Sequence, residues 1–389
     1  MRWIPALVAT SGVIVSAAQA EIPFDLELDG EATAVVAPLS DSEGEADIEP
    51  VVSELALNAN LERVLDNGVR WRVRSALRLQ ADHPDRPGFT GGFGDEPGAP
   101  VGAFSGLSSA PAIEDSDFRG RLETAYLQVD GGYGEARIGK DLGVASRFFE
   151  GAPSAVSHAR LDSPLLTSSN LAAIRTRHDL TGPSLKVSYA TPRILGLRGG
   201  LSFTPEADAD GLDRRPAAGT GLSAPDIENA IELALNGTRR FRASGIRVDV
   251  GLGWSTADVA DQARIALYDE VETWSAGTRI ETGDWTIGAS WLSSDNGLPG
   301  ADYSAWSLGA SRPAFDVDWS LNYGESRDDG VGIETSSWQL GAAREVNKDV
   351  RIAAGYTFEK LEMTNNDSES STIVVEITLS TDFLSLTGN

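Results

Sequence analysis

From about residue 22 onward the chain alternates apolar and polar side chains with a period of two, and that alternation constrains the fold more than any other feature. Successive side chains of a strand point to opposite faces, whereas a helix repeats every 3.6 residues. Between residues 69 and 81, Arg70, Arg72, Arg74, Ala76, Arg78 and Gln80 share one face, and Trp71, Val73, Ser75, Leu77 and Leu79 share the other. The preceding run sets Glu54, Ala56, Asn58, Asn60 and Glu62 against Leu55, Leu57, Ala59 and Leu61. Between the two runs, Asp66-Asn67-Gly68 signals a tight turn, because Asn-Gly accepts positive φ at little cost. The same pattern returns over 246–254, 285–291, 317–323 and 350–358. Helical spacing fits none of these runs, so an all-β fold follows.

The connections carry the next step. Short, turn-rich links at 66–68, 131–134, 282–284, 312–314 and 346–349 alternate with longer polar links at 38–49, 83–116, 141–183, 205–225, 257–268, 294–301, 327–333 and 361–370. Turns at one end and long loops at the other are the layout of a transmembrane antiparallel β-barrel, with the turns periplasmic and the loops extracellular. A sandwich or propeller gives no reason for such alternation. Counting on this rule predicts about sixteen strands, an even number as single-chain bacterial barrels require. Residues 171–183 are assigned to the end of the third long loop, with the next strand starting at Ser184. A separate strand there would place the long 206–225 connection at the short-turn end.

The rest of the sequence agrees with an exported barrel. No stretch supplies the roughly 18 consecutive apolar residues of a helical span. Arg2, a mostly apolar stretch over 4–15 and the small-x-small triplet Ala18-Gln19-Ala20 read as a signal peptide cleaved after Ala20. Residues 21–389 then form the barrel. Mean hydropathy is -0.18, which is compatible with a soluble protein and equally with a barrel, half of whose strand residues face water, and so does not separate the two. With no Cys there is no disulfide framework and no thiol nucleophile. The formal charge of -26 argues against nucleic acid as a partner, since that needs a basic face. The acidic runs 41–49 and 367–369 read as solvated loop surface rather than as calcium sites, and no cofactor is expected. His83, His158 and His178 fall in long loops without HExxH spacing, and the Gly-rich 131–134 segment precedes no helix. No enzyme and no metal site are expected.

One face of each strand is apolar, with Trp or Tyr toward an end. Trp71, Tyr126, Trp274, Trp285, Trp291, Trp306, Trp319, Tyr323, Trp338 and Tyr356 read as interfacial girdles. The apolar faces are also rich in Ala, which fills a soluble core poorly. Lipid is therefore expected on the apolar face and water in the lumen. Four arginines on one face of residues 70–78 repel one another, so a fold keeps them only where they meet water or acid partners. In a narrow lumen they form a charged wall that selects ions.

The stretch Glu123-Thr124-Ala125-Tyr126-Leu127-Gln128-Val129-Asp130-Gly131-Gly132-Tyr133-Gly134-Glu135-Ala136-Arg137-Ile138-Gly139-Lys140 resembles the paired strands that precede the inward-folding loop of Gram-negative general porins, especially the α-proteobacterial type. Tyr189-Ala190-Thr191-Pro192-Arg193, Gly196 and Leu201-Ser202-Phe203-Thr204-Pro205-Glu206 resemble the two strands that follow it. The resemblance implies a sixteen-stranded outer-membrane porin, a homotrimer that passes small polar solutes and ions, with its third loop folded into the pore. It implies that 141–183 is the constriction loop, carrying the acidic candidates Asp141, Glu150 and Asp162. Facing them it implies a basic cluster of Arg70, Arg72, Arg74 and Arg78, with Arg119, Arg121 and Arg137 on neighbouring strands.

One departure concerns the C-terminus: the family usually ends on an aromatic residue, whereas this chain ends Phe383-Leu384-Ser385-Leu386-Thr387-Gly388-Asn389. Ile373, Val375, Ile377, Leu379 and Phe383 share one parity, so the last strand is expected to close on Phe383. Two alternatives stand beside the general porin. One is a substrate-specific channel of the same fold, and the other is a secreted soluble β-protein such as an adhesin. The preference between cations and anions is left open: the total charge favours cations at the mouth, and the arginine face favours anions inside.

Overall fold

The computed structural model describes residues 24–37, 39–41, 51–81, 92–96, 98–110, 118–166, 173–207, 225–260, 267–363 and 366–387. The expected signal peptide, His83 and the acidic residues 42–49 lie outside the described residues. The strands are β1 (Asp25–Val36), β2 (Leu39–Asp41), β3 (Val51–Val64), β4 (Arg70–Ala81), β5 (Phe118–Gly131), β6 (Gly134–Asp141), β7 (Ser184–Ala190), β8 (Leu197–Ala207) and β9 (Asp226–Phe241). They continue as β10 (Ile246–Ala260), β11 (Val271–Thr282), β12 (Trp285–Ser294), β13 (Tyr303–Ala314), β14 (Val317–Asp328), β15 (Ile333–Asn347), β16 (Val350–Met363) and β17 (Asn366–Leu386). A single turn of helix, α1 (Val144–Arg147), follows β6.

Each strand pairs antiparallel with its neighbours, and β17 pairs with β1, so the sheet closes on itself. β2 resumes the line of β1 on the same partner: Val36 lies opposite Val375, and Leu39 opposite Thr372. The barrel therefore has sixteen staves, as the connections predicted, and β7 begins at Ser184.

Burial is inverted relative to a soluble protein. On β7, Ser184, Lys186 and Ser188 are 4, 2 and 3 % exposed, whereas Leu185, Val187 and Tyr189 are 64, 54 and 43 % exposed. The same holds on β14, where Ser320 and Asn322 are buried while Leu321 and Tyr323 face outward. A water-soluble sandwich would leave this apolar outer surface uncovered, so the soluble reading fails and lipid is the solvent of the outer face.

Three local expectations are corrected. The link at 361–370 is mostly strand: β16 runs to Met363 and β17 starts at Asn366. Once a hairpin projects beyond the membrane both its faces are polar, so Glu362, Asp367, Ser368 and Ser370 look like loop although their backbones pair. The turn placed at 312–314 lies at Phe315-Asp316, both at positive φ (57° and 58°), with Pro313 retained inside β13 opposite Asp318. The last strand passes Phe383 and ends at Leu386, with a register shift opposite Leu28/Asp29.

Replacing Leu321 with Arg puts a charge on the lipid face between Trp319 and Tyr323. Its expected cost is about 2–4 kcal/mol near the bilayer midplane, read as a lower folding midpoint in lipid vesicles. Leu321→Ala is expected to cost far less.

Candidate functional site

The arginine face of β4 points into the lumen, since Trp71, Val73 and Leu77 on the other parity are exposed outside. Arg72 donates to Glu62 at 2.6 and 2.9 Å. Arg70 lies 3.3 Å from Glu62 and 3.9 Å from Asp130, and Arg78 lies 3.4 Å from Glu54 and 2.9 Å from Glu123. Arg74 stands opposite Asn60 and Tyr126 and has no ion pair among the described residues. Arg121, opposite Arg78, donates to the Pro183 carbonyl at 3.3 Å. Of Arg119 only the backbone position, opposite Gln80, is described. The partners of the ladder thus include carboxylates on the adjacent strands β3 and β5.

Tyr126 belongs to this wall and not to a girdle. The β4–β5 register shifts between Ala76 and Leu77 and skips Glu123, so the parity of β5 reverses there and Tyr126 turns inward. Its ring lies 4.7 Å from the Arg137 guanidinium, which also pairs with Asp141 and Glu135, each at 2.8 Å.

Loop residues 142–183, apart from 167–172, follow the inner wall. α1 packs on β8, β9 and β10, with the Ala145 amide donating to Glu232 at 3.2 Å and the Val144 amide to Ser202 at 3.2 Å. Farther on, the Ala155 amide donates to Ser320 at 2.9 Å. The amides of Ser157, His158 and Ala159 then converge on the Glu376 carboxylate at 2.9, 2.8 and 2.6 Å. On the way back, His178 bridges Ser275 (2.9 Å) and Ser255 (2.7 Å), and Thr181 donates to Glu232 at 2.6 Å. Two carboxylates of the wall, Glu232 and Glu376, therefore receive the loop's donors; charge-assisted bonds of this kind are the strong ones. Neither was singled out from sequence. The available signal was an acid at a lumen position among small or apolar neighbours.

The three acidic candidates take different places. Asp141 ends β6 in its ion pair with Arg137. Asp162 is buried, 2.8 Å from Arg160 and accepting from Ser307 (2.7 Å) and Thr176 (3.1 Å). Burial alone would raise its pKa, but Arg160 and the hydroxyls outweigh that and hold it below the usual carboxylate range. Glu150 borders the lumen cavity, where burial holds its carboxyl above the usual range.

That cavity, about 660 Å³, is lined by Arg137, Arg147, Arg160, Arg177, Arg193, Arg198 and Arg279, against Glu135, Glu150 and Asp162. Glu135 is shared by Arg137, Arg147 and Arg198. Arg177 donates to Ser146 at 3.0 Å, Arg193 to Asn236 at 2.6 Å and Arg279 to the Gly151 carbonyl at 3.4 Å, and none of the three has an ion pair among the described residues. The loop arginines were missed in sequence because, outside a strand, no periodicity tells which way a side chain points.

The preceding long loop also folds inward. Its residues 92–110, apart from 97, cross to the opposite side of the ring. There the Ser105 amide donates to Asn296 Oδ1 at 2.9 Å, and the Val101 amide to the Tyr268 hydroxyl at 3.1 Å. Phe93, Phe104 and Leu107 form one apolar cluster with Leu161 and Ile174 of the third loop and Leu292 and Tyr303 of the wall.

A closed barrel with an apolar outside, a charged inside and a loop packed within it defines a transmembrane channel. The family model of Gram-negative porins matches residues 5–364, and the chain belongs to that family. Solved structures similar to it include an anion-selective porin from Comamonas acidovorans (14 % identity, TM-score 0.56, 92 % of this chain and 100 % of that one). Pseudomonas putida OprB is also similar (9 %, 0.60, 92 % and 94 %), as is Salmonella typhi OmpF (13 %, 0.59, 92 % and 97 %). No curated protein matches. The protein is thus an outer-membrane channel through which small solutes diffuse.

His178 supplies a pH test of loop docking. Burial pushes its pKa below the ordinary value, with Glu232 and Asp179 opposing only in part. An undocked His178 takes a proton near pH 6.5, so the docked state is fully favoured above that pH and loses stability as pH falls toward the lowered value. Open-channel current noise is expected to rise as pH falls below about 6.5. In His178→Gln that rise is expected to be absent, while the loss tied to Asp162 begins only as pH falls into the usual carboxylate range and is complete below it.

Proposed function

We propose that the channel prefers anions at its narrowest level, which the third loop sets together with the wall it faces. The observation that carries this reading is the excess of arginine over carboxylate around the lumen cavity. Arg70, Arg72, Arg74, Arg78 and Arg121 extend the basic wall, although the acid partners on β3 and β5 moderate the ladder. Asp141 and Asp162 are spoken for by Arg137 and Arg160, which leaves Glu150 as the loop carboxylate beside the solute path. The apolar cluster under residues 92–110 fills the mouth over β11–β14 and directs solutes toward the side of β4–β8. Passive diffusion over this surface needs no cofactor and no catalytic group.

The same reading includes a homotrimer. Toward the loop end, the outer face of β10–β16 carries Trp254, Trp274, Trp291, Trp306, Tyr323, Trp338 and Tyr356, whereas β17, β1, β3 and β4 present Ile373, Val375, Ala34, Val36, Leu55 and Leu77. Aromatic residues anchor a lipid interface, so the stretch without them suits further copies of the chain. Native electrophoresis in mild detergent is expected to show a threefold species that Leu55→Arg dissociates. A monomer in the unaltered protein would overturn the trimer.

Reversal potential in a salt gradient tests the charge reading. The expected sign is that of anion preference, and Arg177→Glu is expected to reduce the anion-to-cation ratio roughly fivefold. Even the ~1 kcal/mol between unit charges about 4 Å apart in water gives a change of that size, so fivefold is the lower end of what charge reversal at a drier site should produce. Acidification is expected to strengthen anion preference as Glu150 takes a proton, and because burial holds its carboxyl above the ordinary value the change should begin before ordinary carboxylates titrate. A cation-preferring potential insensitive to Arg177→Glu would overturn the reading.

A further inference from the structure

Where the third loop crosses the wall, it lies on glycine. Gly251 of β10 stands opposite Gly277 of β11, Gly288 of β12 opposite Gly309 of β13, and Gly341 of β15 opposite Gly355 of β16. None of these six has positive φ, so the backbone conformation does not ask for glycine. Glycine in a strand interior weakens it and commonly marks close approach of another backbone. Here that backbone is visible. A Cβ on Gly251 would come within 3.0 Å of the Phe148 carbonyl oxygen, one on Gly277 within that distance of the Glu150 carbonyl, and one on Gly288 within that distance of the Gly151 carbonyl. On the next strands the contacts are side chains. A Cβ on Gly309 would meet Asn322 Nδ2 of the wall first and Ala152 Cβ at 3.0 Å. One on Gly341 would meet Ser320 Oγ of the wall at 2.7 Å and Val156 Cγ2 at 3.2 Å, and one on Gly355 would meet Val156 Cγ2 at 3.0 Å. The loop segment that meets them, Gly151-Ala152-Pro153-Ser154-Ala155, is itself built of small residues.

We propose that these glycines are the positions that set the width of the pore and hence its solute size limit. They recess the wall by the thickness of one methyl layer, so residues 148–156 lie in the wall rather than on it. The anchors at Glu232 and Glu376 hold the two ends of the segment, and the glycines decide how far its middle stands from the axis. This rests on the reading of the third loop as the constriction. It adds that these glycines control size separately from the arginines that control sign.

The experiment is Gly277→Ala, with Gly251→Ala and Gly288→Ala as companions, in the full-length protein reconstituted in planar bilayers. Each added methyl has to push the loop carbonyl inward by roughly 1–2 Å, most at Gly277, to restore an ordinary 3.5–4.0 Å contact, and we expect single-channel conductance to fall by roughly a third. The largest neutral polyethylene glycol that enters the pore should become smaller in parallel. Gly355→Ala, whose added methyl meets the loop only at a Val156 methyl, 3.0 Å away and not a backbone carbonyl, should lose less. Gly199→Ala, whose added methyl meets nothing closer than 3.9 Å, should lose nothing. Heat-dependent electrophoretic mobility checks that each barrel is closed. If Gly277→Ala does not fold, Gly355→Ala and Gly251→Ala carry the test. Folded variants with unchanged or larger conductance and size limit would overturn the proposal. Ion preference of Arg177→Glu, measured alongside, reports on the charge reading whatever the glycine variants do.

Discussion

In hydrocarbon there is no water to satisfy a backbone amide, and each unpaired group costs several kcal/mol. Closure of the sheet between β1 and β17 removes the edges on which such groups would lie, and the remaining features of the molecule rest on it. Because the wall is closed, it has an inside, and each strand can divide its residues between lipid and water. Because the staves alternate in direction, their connections fall at two ends. Short turns suffice at one end, and the other is free to carry long segments. Two of those segments fold back into the lumen, where the wall offers them polar partners that the outside could not.

The loop inside the barrel is held largely by carboxylates of the wall that accept its backbone amides. Acid on the loop facing base on the wall would fix the loop by its side chains. In this protein the wall supplies much of the acid: Glu376 takes three consecutive amides of the loop, and Glu232 takes an amide and a threonine hydroxyl. Breaking such a site leaves several buried donors unpaired at once, each costing about 1–3 kcal/mol, so the carboxylates matter more than their number suggests. Anchoring through backbone amides also leaves the loop's side chains free for the lumen. Arg147 and Arg177 project there with partners that only partly neutralise them.

What was legible in the sequence follows from where periodicity applies. Within the membrane each residue meets either lipid or lumen, so Arg70 to Arg78 and Leu185 to Tyr189 could be assigned to faces from parity alone, and Ser184 could be recognised as a strand start. Parity fails at irregularities. The extra residue at Glu123 reverses the faces of β5 and turned an expected girdle residue, Tyr126, into a wall residue. It also fails above the membrane, where the β16–β17 hairpin is polar on both faces and resembles a loop. Inside the third loop there is no period at all. Asp162 and Arg177 are both charged loop residues, and only tertiary packing makes one a buried structural anion and the other a lumen cation. The glycines of β10–β16 were in plain view, but their meaning depends on a segment more than a hundred residues away in the chain.

The net charge of -26 and a cationic constriction are compatible because the two act over different distances. Charges in water are screened over about 8–10 Å at physiological ionic strength, so acids on loops and outer strand ends fade before they reach the interior of a lumen. Glu270, Glu272, Glu325 and Glu334 stand at that outer boundary, bonded to neighbouring side chains. A permeating ion, in contrast, passes the cavity arginines at contact range, with protein rather than water on most sides, and there the same unit charge counts for several times more. The sign of the proposed preference is therefore set by the few residues around one cavity and not by the total. Width is set where glycine lets the loop recede into the wall, and the same strands carry Arg279 beside Gly277, bonded to the Gly151 carbonyl. Sign and size are thus set by different side chains, charge at the arginines and depth at the glycines.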